Sequence, residues 1–154
     1  MWDNGLGLFA SSPLFGIGFG NWIGPMVAHN SLIQCAGQLG MFGLIPWVML
    51  IFLALKNCFY MAFLDNDGSL YGVRKRSENT FYALLAYVCA TVFFSAVTTD
   101  LLFIIVGLAS AITNVFLQKR EEHFELLGKR DLVYGIMLSL GGLAGFKIFV
   151  LIAT

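Results

Sequence analysis

Long uncharged stretches constrain the fold of this chain more than any other feature of its sequence. No Asp, Glu, Lys or Arg occurs from Leu39 to Leu55, and from Thr80 to Leu117 the one charged residue is Asp100. A helix needs about 20 apolar residues to cross a bilayer, and these stretches are long enough to supply them. Charged residues make up 12% of the chain, against roughly 25% in ordinary soluble domains. The sequence therefore predicts an all-α, polytopic integral membrane protein.

The longer of these stretches must contain a turn. A continuous helix over Thr80–Leu117 would be about 57 Å long at 1.5 Å per residue, whereas the hydrocarbon core of a bilayer is about 30 Å thick. Thr98–Asp100 is the polar corner at which we place the turn, and Pro46 predicts a kink in the first span. We expect one membrane domain over residues 1–154 with about four transmembrane helices, over residues 39–57, 80–97, 101–117 and 132–153.

The distribution of basic residues predicts the orientation of these helices. Residues 1–55 contain no Lys or Arg, whereas the polar loops over residues 64–79 and 118–131 contain three and four. By the positive-inside rule both loops are cytoplasmic, and residues 1–30 face the periplasm or the cell exterior. We expect a multi-pass protein of the bacterial plasma membrane, surrounded by membrane lipids. The net charge of zero gives no indication of a nucleic-acid partner.

The first 30 residues are apolar but poor in helix-forming residues. Six glycines lie between Gly5 and Gly24, and Pro13 and Pro25 interrupt the same segment. Irregular backbone in contact with lipid is costly because its polar groups find no partners. We therefore predict a Gly-rich extracytoplasmic loop or re-entrant segment, with a short helix over Trp2–Ser11. A plain transmembrane helix over residues 6–23 is the alternative.

The polar residues that follow this segment are the candidates for chemistry. Ser31 and Gln34 match the S-x-x-Q capping box, which predicts that a helix begins at Asn30 or Ser31. Gln34 and Gln38 are four residues apart and share one face of that helix. His29 lies directly before it, either as a functional side chain or as a structural hydrogen-bonding residue at a helix start.

No metal or cofactor site is expected. Cys35, Cys58 and Cys89 show no metal-ligand spacing and are interpreted as reduced, packed thiols. His123 lies among glutamates on a solvated segment. The Asp65-x-Asp67-Gly68 piece resembles the start of a calcium loop, but the remaining ligands are missing at the required spacing, so it is read as a solvated turn.

Three motifs between Trp2 and about Leu44 together resemble a known family. They read W-x-x-G-L-x-L-F-x-x-S-P-L-F-G-I-G-F-G-N-W, A-H-N-S-L-I-Q and Q-L-G-M-F-G-L. This combination is similar to the C-terminal signature of the O-antigen ligase and O-antigen polymerase family. The resemblance implies an integral membrane glycosyltransferase that takes a glycan from polyprenyl diphosphate. The acceptor would be a hydroxyl of a glycan, a lipid or a protein at the periplasmic membrane face.

The resemblance also implies roles for individual residues. His29 matches the family's histidine and would be catalytic at the acceptor hydroxyl, a task that suits an imidazole. The implied substrate-binding residues are Asn30, Gln34, Gln38, Gly16, Gly18 and Gly20. The glycines would let backbone amides approach the diphosphate or sugar. Gln38 stands where the family commonly has a glutamate, so it can position a hydroxyl without accepting its proton.

Two further expectations concern the chain as a whole. The family has an arginine upstream of the tryptophan, whereas Met1 directly precedes Trp2 here. We therefore expect the C-terminal part of a larger membrane enzyme, inactive alone and completed by an upstream polypeptide. The alternative is a small non-enzymatic transport or assembly subunit, with His29, Asp100 and Lys147 along a polar path. Lys147 lies in the last span, where it either snorkels or faces the bundle interior.

Overall fold

The computed structural model describes residues 2–22, 29–64, 70–93, 100–120 and 129–153. These residues form helices and connecting loops, with no β-strand among them. The all-α prediction is therefore confirmed. The helices are α1 (Trp2–Ser11), α2 (Ser31–Phe59), α3 (Tyr71–Phe93), α4 (Asp100–Arg120) and α5 (Lys129–Ala153), and a π-helical turn (Tyr60–Leu64) continues α2.

Two segments of the described chain are long and apolar enough to cross a membrane. They are Ser31–Leu64 and Leu101–Lys119, and they contain the spans expected over residues 39–57 and 101–117. The division of the long apolar stretch into two helices is also confirmed, because α3 ends at Phe93 and α4 begins at Asp100. Residues 94–99, which include most of the expected corner, lie outside the described residues. Whether α3 and α5 also cross the membrane stays a prediction.

The start of α3 differs from the sequence prediction. Residues 64–79 were expected to form a solvated loop, but α3 begins at Tyr71 and includes the basic cluster. Local interactions favour the helix: Lys75 pairs with Glu78 at 3.1 Å, one turn apart. Arg74 donates from Nε to the Ala62 carbonyl oxygen at 3.0 Å, which ties α3 to the π-helical turn. The Asp65-x-Asp67 piece lies outside the described residues.

The break in α2 also differs from the prediction. Pro46 was expected to kink this helix, but the residue with non-helical dihedral angles is Gly40 (φ 62°, ψ −161°). That positive φ is a conformation that glycine adopts far more readily than other residues. The break at Gly40 coincides with contacts from the preceding loop, and a kink at Pro46 stays a prediction.

The chain forms two compact units, which comprise Met1–Met49, Cys89–Val97 and Val133–Thr154 in the first and Leu50–Val88 and Thr98–Leu132 in the second. In the first unit Leu143 of α5 packs with Cys35 and Leu44 of α2, and Leu6 and Phe9 of α1 pack against this cluster. The first half of α2 is therefore the central element of its unit.

The second unit has two apolar clusters of its own. Met61 and Val73 pack with Phe116 of α4, while Cys58 packs with Leu84 and Ala109. Cys35 and Cys58 are fully buried, as predicted for packed thiols, whereas Cys89 is exposed and that interpretation was wrong for it.

Candidate functional site

The Gly-rich segment before α2 is bound to the helix at its break. Four backbone hydrogen bonds join the two: the amides of Ile17 and Gly18 donate to the carbonyls of Gly37 (3.0 Å) and Gln38 (2.9 Å). In return, the amides of Met41 and Phe42 donate to the carbonyls of Pro13 (2.9 Å) and Leu14 (3.2 Å). An opened helix leaves backbone groups without helical partners, and such groups are costly in an apolar setting. The loop supplies partners for them, and we call this arrangement, residues 13–18 with residues 37–42, the loop clamp.

Two glycines make the loop clamp sterically possible. Gly16 and Gly40 have positive φ angles of 68° and 62°. A Cβ atom at Gly16 would collide with the backbone of Gln38, and one at Gly40 with the backbone of Leu14. Both the dihedral angles and the close approach require glycine, so these residues have a structural function.

Hydrogen bonds within the chain bear on the substrate-binding role expected for Gly16, Gly18 and Gly20. The amide of Gly16 donates to the Ser12 carbonyl at 2.9 Å, and that of Gly18 donates to Gln38. Both N–H groups are therefore engaged within the chain rather than open to a ligand. Gly20 differs, since it is exposed and has open space around its α-carbon.

Asn30 caps α2 and is fully buried. Its Oδ1 accepts a hydrogen bond from the Ile33 amide at 3.0 Å, and its carbonyl accepts one from the Gln34 amide at 3.0 Å. This is N-cap geometry, so the predicted helix start at Asn30 or Ser31 is confirmed. The acceptor of the cap is Asn30, rather than Ser31 as the S-x-x-Q pattern indicated. Its Nδ2 donates to the carbonyl oxygen of Val92, at the end of α3, at 3.0 Å.

His29 is exposed and has a left-handed backbone conformation. Its φ is 48°, which is uncommon for a residue with a Cβ and costs on the order of 1–3 kcal/mol. The neighbouring Asn30 is anchored to α2 and α3 at once, so the position of His29 is fixed from its C-terminal side. Residues that keep such strain are concentrated at functional sites.

Gln34 and Gln38 each carry a buried amide oxygen. Neither Oε1 atom has a hydrogen-bond partner among the described residues. Gln38 as a whole is 4% exposed. A buried acceptor without a donor costs about 1–3 kcal/mol. Both atoms are thus buried acceptors without a donor among the described residues.

Of the three residues of the alternative transport path, the structure describes the side chains of His29 and Lys147, and both are exposed. Lys147 is exposed and, together with Asp3, lines a cleft between α1 and α5. The side chain of Asp100 lies outside the described residues, as does His123. No group of three or more His, Cys, Asp or Glu side chains that could hold a metal ion occurs within the described ranges.

Sequence reasoning missed two features of this site. The role of the Val92 carbonyl could not be predicted, because every residue has a backbone carbonyl and the sequence does not indicate which one Asn30 contacts. The cleft that Asp3 and Lys147 both line was missed because it depends on how α1 packs on α5.

Comparison of the chain with protein-family models, with curated proteins and with solved structures gives no match.

Proposed function

We propose that the chain is a multi-pass membrane protein of four spans that forms the C-terminal part of a polyprenyl diphosphate-dependent glycan transferase. Its Gly-rich segment and His29 face the outer side of the bacterial plasma membrane, and the regions over residues 64–79 and 118–131 face the cytosol. The observation that carries this proposal is the exposed, left-handed His29 directly before the doubly anchored Asn30. The three motifs that resemble the O-antigen ligase and polymerase family support it.

In the proposed reaction, the acceptor hydroxyl attacks the anomeric carbon of the lipid-linked glycan. The His29 imidazole removes the hydroxyl proton as the new glycosidic C–O bond forms. The bond between the anomeric carbon and the diphosphate oxygen breaks, and polyprenyl diphosphate leaves with the bonding electrons. The imidazolium then returns its proton to the diphosphate or to water, which restores the base.

In this proposal the side-chain oxygens of the two glutamines bind sugar hydroxyl groups rather than the diphosphate. Gln34 and Gln38 offer unpartnered acceptors, and sugar hydroxyls can donate to them. An ionised diphosphate has acceptors alone and leaves them unsatisfied. The charge that develops on the leaving diphosphate needs cations, which in this proposal come from an upstream polypeptide.

The central test is complementation of the native cell after deletion of this chain, with surface glycan and lipid-linked glycan both measured. His29→Asn is the informative variant, because asparagine tolerates the left-handed conformation but cannot act as the base. We expect at least a hundredfold loss of transfer and accumulation of the lipid-linked donor. Cys89→Ser, an exposed change in the same unit, should restore transfer fully. Normal transfer by His29→Asn would contradict the proposal.

Gln38→Met tests the role of the buried oxygen separately. Methionine has a similar length and no polar group, so the free protein should be as stable as the wild type or more stable. If the oxygen binds an acceptor hydroxyl, KM for the acceptor rises about tenfold. A loss of stability at unchanged KM assigns Gln38 a purely structural function.

A further inference from the structure

A cleft in the first unit combines apolar walls with one charge of each sign. It lies between α1 and α5 and has a volume of about 450 Å³, within the roughly 300–1,000 Å³ of typical ligand sites. Leu6 and Phe9 of α1 face Leu143 and Leu151 of α5 across it. Asp3 and Lys147 line the same cleft, and both are exposed.

The two charged groups of the cleft are not paired with each other. Among the described residues, neither the Asp3 carboxylate nor the Lys147 ammonium forms an ion pair or a side-chain hydrogen bond. Lys147 follows Leu143 by four residues and precedes Leu151 by four, so the ammonium group and the apolar contacts share one face of α5. On α1, Asp3 and Leu6 are three residues apart on one face in the same way.

We propose that this cleft binds a zwitterionic phospholipid with a primary-amine headgroup, of the phosphatidylethanolamine type. The lipid phosphate accepts hydrogen bonds from the Lys147 ammonium, and the headgroup ammonium donates to the Asp3 carboxylate. One acyl chain lies along the leucine and phenylalanine side chains. The inference depends on the membrane location in the proposed function, but it does not depend on glycan transfer.

Charge complementarity favours this occupant over other membrane components. An anionic phospholipid satisfies Lys147 but brings no cation to Asp3. A choline headgroup carries the cation but has no N–H hydrogen to donate to a carboxylate. Polyprenyl diphosphate places at least two negative charges beside Asp3, where like charges repel. The ethanolamine headgroup satisfies both residues with charge-assisted hydrogen bonds.

The test measures lipid retained by the purified full chain in mild detergent, by native mass spectrometry. The probes are phosphatidylethanolamine, phosphatidylcholine and phosphatidylglycerol with identical acyl chains, with polyprenyl diphosphate as a competitor. We expect about tenfold preference for phosphatidylethanolamine, and about tenfold weaker retention for Lys147→Ala. Lys147→Arg keeps the cation and should retain the lipid. Asp3→Asn should remove the preference over phosphatidylcholine, and Lys119→Ala, an exposed lysine on α4, should change nothing.

Several results overturn the proposal. They are equal retention of the three phospholipids, retention unaffected by Lys147→Ala, and displacement by equimolar polyprenyl diphosphate, which would assign the cleft to the glycan donor. A dimer that buries the cleft and excludes lipid would assign it to a second copy of the chain. His29→Asn should bind phosphatidylethanolamine like the wild type, so a failure of the glycan-transfer proposal is distinguishable from a failure of this one.

Discussion

The Nδ2 amide of Asn30 donates to the carbonyl oxygen of Val92 at 3.0 Å, and this hydrogen bond joins residues 62 positions apart in the chain. Val92 lies in the last turn of α3, where carbonyl groups have no partner within the helix. The Oδ1 atom of Asn30 meanwhile satisfies the Ile33 amide in the first turn of α2. One buried side chain thus completes the end of one helix and the beginning of another, directly beside His29.

Asn30→Ala is expected to lower the free energy of unfolding by about 2–4 kcal/mol. It removes an N-cap, which contributes about 1 kcal/mol, and leaves the half-buried Val92 carbonyl without its donor, which costs about 1–3 kcal/mol. Serine at position 30 keeps a capping oxygen but is too short to reach the Val92 carbonyl. Asn30→Ser should therefore lower the free energy of unfolding by about half as much as Asn30→Ala. Thermal unfolding in detergent measures both variants. Wild-type stability for Asn30→Ser would show that the bond to Val92 contributes nothing.

The loop clamp predicts graded effects for three glycine-to-alanine substitutions. In Gly16→Ala the existing positive φ becomes unfavourable and the new Cβ collides with the Gln38 backbone. The free energy of unfolding should fall by more than about 2 kcal/mol. Gly20→Ala keeps the unfavourable φ of 79° but meets open space, and should cost about 1–2 kcal/mol. Gly7→Ala lies within α1 in open space and should stabilise by about 0.5–1 kcal/mol.

The glycine series is measured by unfolding in the same detergent, with helix content followed by circular dichroism. The order of stabilities tests the clamp, because each variant adds the same methyl group. Equal effects of Gly16→Ala and Gly20→Ala would contradict the close approach of residues 13–18 to the α2 backbone.

The ion pair in the second unit predicts that replacing one partner lowers the free energy of unfolding more than replacing the other. Lys56 Nζ lies 2.5 Å from Asp131 Oδ2, and their side chains are 33% and 8% exposed. Lys56→Met leaves a buried carboxylate and should cost roughly 2–3 kcal/mol. Asp131→Asn leaves a lysine that can reach solvent, so its cost should stay below about 1 kcal/mol.

The double variant Lys56→Met with Asp131→Leu provides the control for this pair. Replacing both charges with apolar groups should recover most of the stability lost in Lys56→Met. Chemical unfolding of the wild type, Lys56→Met, Asp131→Leu and the double variant gives the coupling energy. Equal losses for Lys56→Met and Asp131→Asn would contradict the difference in burial on which the prediction depends.

The helices that could be predicted from the sequence are those fixed by local composition. The absence of charge from Leu39 to Leu55 places α2, and the length of the Thr80–Leu117 stretch requires the division into α3 and α4. The polar residues before the apolar run place the start of α2 at Ser31. Each of these features depends on residues that are neighbours in the sequence, so local composition determines it.

The features that could not be predicted depend on contacts between distant residues. The break at Gly40 lies where the backbone of α2 forms hydrogen bonds with the loop about 25 positions earlier, and no local sequence rule indicates that contact. The glycines of the motif were expected to expose amides to a ligand, yet the amides of Gly16 and Gly18 bind carbonyls of Ser12 and Gln38. A Gly-rich segment indicates that another group comes close to its backbone. It does not indicate whether that group is a ligand or another part of the chain.

The side of the membrane on which His29 lies is the central claim, and cysteine labelling in intact cells tests it most directly. His29→Cys is introduced together with Cys89→Ser, since Cys35 and Cys58 are fully buried and shielded from reagent. Lys75→Cys, exposed on α3, reports the opposite side. A membrane-impermeant maleimide should label His29→Cys in intact cells and Lys75→Cys in inverted vesicles alone. Labelling of His29→Cys in inverted vesicles alone would contradict the account.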